Sequence, residues 1–199
     1  MSALYEDSHR QLQQQFDTQR LAERIEERLF RRALTNDDRA FIEGLDLFFL
    51  ATVNGRGEPS CSYKGGDAGF VRVLNPTTLV FPCYDGNGMY LSMGNVAATR
   101  AVGMLFIDLC APKRLRVNGT ARIEPAEFAK PAYAEAQFVV VVDVREVFPN
   151  CPRYIHKFQR VEASKFVPHE GVPTPVPGWK KMDWACDVLA RDDPARRES

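Results

Sequence analysis

The chain has 199 residues, 45% of them apolar, with 13 Phe and with 26 basic side chains balanced by 26 acidic ones. That much apolar material builds a real core in a single domain, so disorder of the whole chain is excluded. A zero net charge also argues against a general nucleic-acid binder, whose surface carries a net basic field. The first segment, MSALYEDSHRQLQQQF, is charged and has no apolar signal core, which sets the expectation of a cytoplasmic protein. Residues 17–33 then read as an amphipathic helix that Asp17 or Thr18 can cap, with Leu21, Ile25 and Leu29 spaced four apart on one face. A shorter helix follows. Thr35 with Asp38 three residues on forms a capping-box start, and Phe41, Ile42 and Leu45 form its apolar side. Asp37 and Asp38 also suit the positive end of the helix dipole.

From residue 47 the hydrophobic period changes. LFFLATV (47–53) is a strand-like run, Asn54, Gly55, Arg56 and Gly57 form a turn, and PSCSYK (59–64) alternates, which predicts a hairpin. Gly65, Gly66 and Asp67 break the chain, FVRVL (70–74) is a short strand stopped by Asn75 and Pro76, and TTLVFPCY (77–84) is another strand. Asp85, Gly86, Asn87 and Gly88 form a loop, and MYLSMGNVAATR (89–100) reads as a short helix broken by Gly94. AVGMLFID (101–108) is a buried strand, and RLRVNGTARIE (114–124) is a long alternating one with a bulge expected at Asn118 and Gly119. Residues 125–136 are helical in part, and QFVVVVDVREVF (137–148) is a last strand. The stretch 167–178 is Pro-rich, and 179–190 predicts a short terminal helix. This is about six strands with short connections in roughly 100 residues, which favours an antiparallel barrel over a doubly wound sheet with its crossover helices. The fold class is therefore mainly β, organised as an N-terminal helical extension packed on the barrel (1–46), the barrel (47–160) and a Pro-rich tail (161–199) within one domain. The helix at 17–33 is read as a lid over one barrel end. The longest apolar runs are far short of the roughly 20 residues that span a bilayer, so no membrane partner is expected.

Hydrolytic and metal chemistry find no support in the residue pattern. His9, His156 and His169 are scattered, no Ser or Cys stands in a nucleophile elbow, and Cys61, Cys83, Cys110, Cys151 and Cys186 form no CxxC pair or zinc-spaced cluster. Five free thiols are the expectation. Two loops could instead cradle an anion. SYKGGDAG (62–69) ends a strand with Lys64 and opens into Gly65 and Gly66, whose backbone an anion can approach closely. DGNGMYLSMGN (85–95) leads into a helix start, with Asn87, Ser92 and Asn95 as neutral donors. Arg114 and Arg116 point the same way from one strand. Taken singly, these are also what ordinary hairpin turns and a solvated sheet face look like.

Read in succession, FLATVNGRGEPSCSYKGG (49–66), TLVFPCYDGNGMYLSMGN (78–95), VGMLFID (102–108), RLRVNGTARI (114–123) and VFPNCPRYI (147–155) resemble the pyridoxamine 5'-phosphate oxidase-like family of FMN-binding split barrels, over about residues 40–158. The resemblance implies a six-stranded antiparallel split barrel that forms a homodimer with FMN in clefts between the subunits. It implies that Lys64 meets the FMN phosphate, with Gly65 and Gly66 continuing that edge. Tyr84 and the loop and helix carrying Asn87, Ser92 and Asn95 would wrap the ribityl phosphate. Arg114 and Arg116 would face the flavin from the partner subunit, and Arg153 and Tyr154 could close the site. Trp179 and Trp184 could cover the flavin or, more simply, anchor the tail to the barrel. Three departures stand out. Pro59 or Ser60 replaces an arginine early in the second strand, Gly94 and Asn95 replace an Arg-Lys pair in the following helix, and the C-terminal substrate motif is missing. The cofactor half of the resemblance therefore carries over and the pyridoxal-phosphate half does not. The implied function is an FMN-dependent oxidoreductase of unknown substrate, reduced by a small molecule such as NAD(P)H, with no metal and no assigned general acid or base. The alternatives are a non-enzymatic flavin-binding or sensing module, and a split barrel that uses haem or a deazaflavin. The segment charges agree with an anionic ligand: residues 1–46 hold 7 basic and 10 acidic groups, residues 55–122 hold 8 and 4, and residues 123–199 hold 11 and 12.

Overall fold

A computed structural model describes residues 4–196. They fall into two compact units, Met1–Arg160 and Val161–Ser199. The first begins with three helices, α1 (Asp7–Gln15), α2 (Gln19–Leu29) and α3 (Asn36–Glu43). The sequence predicts only the last two. Asp17 is no cap: it takes a left-handed conformation with φ of 50° at the break between α1 and α2, and Thr18 precedes α2 without a side-chain capping bond. Neither α1 nor α2 buries a residue, and Leu21, Ile25 and Leu29 are exposed, so α2 does not put its apolar stripe on a barrel end as a lid would. The capping box of α3 forms as expected. Thr35 Oγ1 accepts from the Asp38 N–H at 3.1 Å, and Asp38 Oδ2 accepts from the Thr35 N–H at 2.8 Å. Arg31 closes the group by pairing with the Asp38 carboxylate. Ile42 and Leu45 reach the core from this helix and its end.

The sheet has seven antiparallel strands rather than six: β1 (Leu47–Val53), β2 (Pro59–Gly65), β3 (Arg72–Asn75), β4 (Thr78–Cys83), β5 (Ala101–Asp108), β6 (Lys113–Glu124) and β7 (Phe138–Pro149). Their order is β2-β1-β5-β6-β7-β4-β3. The four-residue β3 falls on the short strand expected at 70–74 and is an edge that only hairpins with β4. The two edges, β2 and β3, do not pair, and the sheet wraps as a split barrel round Phe48, Leu50, Leu79, Phe81 and Phe106. Phe48 sits against Phe81 and Phe106 with ring centroids 5.1 and 5.4 Å apart. Residues 139–142 of β7 are buried on both faces. Val140 and Val142 join the main core, while Val139 and Val141 pack with Val80, Ala129 and Tyr133. That two-sided burial is why this strand reads as an uninterrupted apolar run. The bulge forms at the expected place, where the β6–β7 register shifts between Asn118 and Gly119.

Two local expectations change. The helix α4 (Leu91–Thr99) runs through Gly94 unbroken, because its ladder continues there with the Gly94 N–H donating to the Tyr90 carbonyl at 2.7 Å. It starts at residue 91 because Tyr90 is left-handed, with φ of 47°. Between β6 and β7 only one 3₁₀ turn, Ala126–Phe128, is helical. In the second unit, a 3₁₀ turn at Gly178–Lys181 replaces the predicted helix over 179–190. Its Lys180 ammonium is buried and donates to Asp193 Oδ2 at 2.7 Å, and Trp179 stacks on Trp184 at 6.0 Å. No helix among the described residues is long and apolar enough to cross a membrane.

Candidate functional site

Strand alternation puts Ser60, Ser62 and Lys64 on the half-buried face of β2 and leaves Cys61 and Tyr63 on the exposed one. The register sets Ser62 beside Leu50 and Lys64 beside Phe48 of β1. Helix α4 lies over this face. Its Ser92, Asn95 and Thr99 are spaced by three and four residues, so they form one polar stripe. The hydroxyls of Ser92 and Ser62 are 3.0 Å apart, Asn95 Nδ2 donates to the buried Thr52 Oγ1 at 3.0 Å, and Thr99 Oγ1 donates to the Val53 carbonyl at 2.7 Å. The stripe thus fastens α4 to β1 and β2 and brings the start of the helix to Ser62, two residues before Lys64 on the same strand face.

That helix start receives no side-chain cap. Tyr90, in the capping position, instead sends its hydroxyl to Gln137 Oε1 at 2.8 Å. First-turn N–H groups of a nine-residue helix then remain available to an acceptor, and the helix dipole favours an anionic one. Lys64 is half-buried, and among the described residues no carboxylate pairs with it. Burial pulls its amine below the ordinary lysine range, opposed by the neighbouring Cys83. Burial in turn pushes the Cys83 thiol up, with Lys64 acting against it and Asp85 with it. Tyr84 follows on the same strand end. Burial raises its phenol, Asp67 adds to that, and Arg72 opposes it. Arg72 lies over the ring of Tyr133 at 3.8 Å.

The other expected residues are placed differently. Gly65 and Gly66 face the chain's own rings: a Cβ at Gly65 would lie 2.7 Å from the Tyr63 ring, and one at Gly66 2.5 Å from Phe70. Asn87 is exposed, and its Oδ1 accepts from the Met89 N–H at 3.1 Å in an Asx turn. Arg114 and Arg116 alternate with the buried Leu115 and Val117, so they lie on the outer face of the sheet, away from Lys64. Arg116 is in register with Leu105, Leu105 with Phe49, and Phe49 with Tyr63, which makes one row across that outer face. Arg153 belongs to a separate group. Its main-chain N–H donates to Cys151 Sγ at 3.5 Å, and it stands 5.9 Å from the ring of the exposed, left-handed Tyr154. The Arg153 and Arg114 guanidinium charges both act on the Cys151 thiol. Trp179 and Trp184 pair with each other inside the second unit.

Within one chain, then, the structure brings Ser92 to Ser62 on the strand face that carries Lys64, sets Lys64 near Cys83 with Tyr84 just past the end of β4, and leaves Arg114, Arg116 and Arg153 elsewhere. Sequence reading missed Ser62, whose signal was the small-polar alternation of β2. It also missed the absent cap of α4, which follows from the left-handed Tyr90 and has no residue signature. Among the described residues, no group of three or more His, Cys, Asp or Glu is arranged to hold a metal ion.

Among solved structures, the chain is similar to HupZ of Group A Streptococcus, at 19% identity over 58% of this chain and 93% of that one, with a TM-score of 0.47. It is similar to an FMN-binding protein of Syntrophomonas wolfei at 12% identity, over 70% and 97% of the two chains, with a TM-score of 0.44. It is also similar to HutZ, the haem storage protein of Vibrio cholerae, at 18% identity, over 59% and 91%, with a TM-score of 0.40. No curated protein matches in sequence. At these levels of likeness the assignment rests on the family match, which runs from α3 through all seven strands. The pyridoxamine 5'-phosphate oxidase model matches residues 34–158, and the chain belongs to that family.

Proposed function

We propose that this protein is an FMN-binding flavoprotein and acts as an FMN-dependent oxidoreductase, a cytoplasmic homodimer reduced by a small molecule such as NAD(P)H. The observation that carries this reading is the Ser62–Ser92 contact at 3.0 Å, which joins the uncapped start of α4 to the strand face bearing Lys64. A phosphate monoester fits that donor set. Helix N–H groups and whichever of the two hydroxyls is not donating to the other supply directed donors, and an ammonium with no carboxylate partner among the described residues supplies charge. Bound there, FMN would supply hydride chemistry at its ring, while the protein supplies binding and orientation.

The two faces of the sheet support the dimer in this reading. Lys64 and Arg116 alternate onto opposite faces, so a single chain does not present both to one small ligand. Arg114 and Arg116 reach a flavin held at Lys64 only if they come from a second copy. Arg114 also keeps a buried Nε without a hydrogen-bond partner, the condition of a donor that waits for an acceptor.

The test is the absorption spectrum of the purified protein with an FMN titration, followed by stopped-flow reduction with NADH and NADPH. Bound FMN that is reduced and turns over supports the reading. Bound flavin that stays inert makes the protein a flavin-binding module. Binding of haem or a deazaflavin with none of FMN overturns the cofactor assignment.

A further inference from the structure

The α1–α2 hairpin is built inside out. The side chains that α1 and α2 turn toward each other are polar. Arg10 lies 3.6 Å from Glu23 and 3.9 Å from Glu26, and it donates to Gln13 Oε1 at 2.8 Å. The apolar residues point the other way. Leu21, Ile25 and Leu29 are 61%, 40% and 42% exposed, and Leu12 and Phe16 of α1 are 56% and 67% exposed. An amphipathic helix normally turns its stripe to a core, and an exposed apolar patch of this kind marks an interaction surface.

The hairpin is tethered at a defined place. Phe30 stacks on Phe148 with centroids 6.3 Å apart, and Arg31 exchanges backbone hydrogen bonds with Val147 at 2.9 and 2.8 Å. Phe148 is the register partner of Arg116. The stripe therefore starts beside the outer sheet face that carries Arg114 and Arg116. The charges are complementary as well. Residues 4–30 hold 6 acidic and 4 basic groups, whereas residues 55–122 hold 4 acidic and 8 basic.

We infer that a second copy of this chain covers the stripe of Leu21, Ile25 and Leu29, the acidic hairpin of each copy lying on the basic barrel of the other. The inference rests on the dimer reading above and names the element that clasps it. A two-fold arrangement covers both hairpins with one self-complementary interface, and opposite charges steer the hairpin onto the barrel. An anionic lipid surface is the poorer occupant, because it repels a segment with an acidic excess.

The test is hydrogen exchange of the full chain from dilute to concentrated protein, with the association state measured in parallel by sedimentation. We expect the α2 amides to slow as the dimer forms, and Ile25→Glu to weaken the dimer by roughly tenfold or more. If the dimer forms with α2 exchange unchanged and Ile25→Glu dimerises normally, the clasp is wrong and the dimer reading stands. If the protein stays monomeric throughout, both fail. Protection of α2 already complete in the monomer, or gained only with phosphatidylserine vesicles, also overturns the clasp. The exchange measurement uses the natural sequence, so a folding defect in the variant does not blunt it.

Discussion

The hydroxyls of Ser62 and Ser92, 30 residues apart in the chain, meet at 3.0 Å and join strand β2 to the first turn of α4. Two residues further along the same face of β2, Lys64 has lost part of its hydration to burial and, among the described residues, has no carboxylate in return. The proposed phosphate site is this conjunction, and the first prediction tests its charge.

Lys64→Ala should weaken FMN binding by about tenfold or more, the effect of a lost charge-assisted hydrogen bond. The pH dependence carries more information. Burial holds the free amine below the ordinary value of about 10.4. A bound phosphate stabilises the ammonium, so binding takes up a proton in the window between the free and bound values. Affinity should therefore fall as pH rises through that window, starting lower than an exposed lysine would dictate. Lys64→Arg keeps its charge throughout and should flatten the profile. Fluorescence titration against pH reads both effects, and an unchanged profile in Lys64→Arg removes Lys64 from the site.

Asp38 should govern stability in acid. Burial alone would raise its carboxyl, but the Arg31 guanidinium and the N–H and hydroxyl of Thr35 outweigh burial and hold it below the usual value. The folded pKa thus lies under the unfolded one. The stabilisation is complete above about pH 3.9 and is lost as pH falls through the folded value. Asp38→Asn should cost about 1–3 kcal/mol at neutral pH, since it removes the ion pair with Arg31 and leaves one acceptor oxygen where the carboxylate has two. Thermal melts of both proteins from neutral to acid pH should converge at low pH.

Three glycines should respond differently to alanine. At Gly119 a Cβ would lie 2.3 Å from the backbone oxygen of Asp143 across the bulge, and at Gly66 it would meet the buried Phe70 at 2.5 Å. Each substitution should destabilise by about 1–3 kcal/mol, with Gly119 the worse because backbone cannot rotate away. Gly94 has open space around it inside α4. Gly94→Ala should stabilise by about 0.5–1 kcal/mol through helix propensity. Denaturant midpoints at constant slope decide each case.

Cys151 and Cys83 should mark the two extremes of thiol reactivity. The Arg153 main-chain N–H stabilises the exposed Cys151 thiolate, aided by the Arg153 and Arg114 charges, and lowers its pKa. Burial raises that of Cys83. Alkylation mapped by mass spectrometry should label Cys151 early and Cys83 late. Arg153→Ala should slow Cys151 only in part, because the main-chain donor remains.

Much of the fold was legible in the residues. Alternation located the strands of the sheet, and the Thr35 and Asp38 pair placed α3, because such signals are local and depend on few neighbours. The family motifs pointed to Lys64 and Ser92. The sequence could not separate Gly65 and Gly66, which face Tyr63 and Phe70, from a cradle, since a glycine's neighbours are set by other strands. Nor did it show that Asn95 holds Thr52 and so fastens α4 to β1.

By itself, then, the sequence determined a mainly β chain with a basic middle, since periodicity and charge are carried by the residues alone. Tertiary structure decided the rest. Strand pairing put Lys64 and Arg116 on opposite faces of one sheet, and backbone geometry at Tyr90 left α4 uncapped beside Ser62. Packing left α2 with its apolar stripe facing outward. Each of these depends on what lies opposite a residue in space, which the order of residues along the chain does not record.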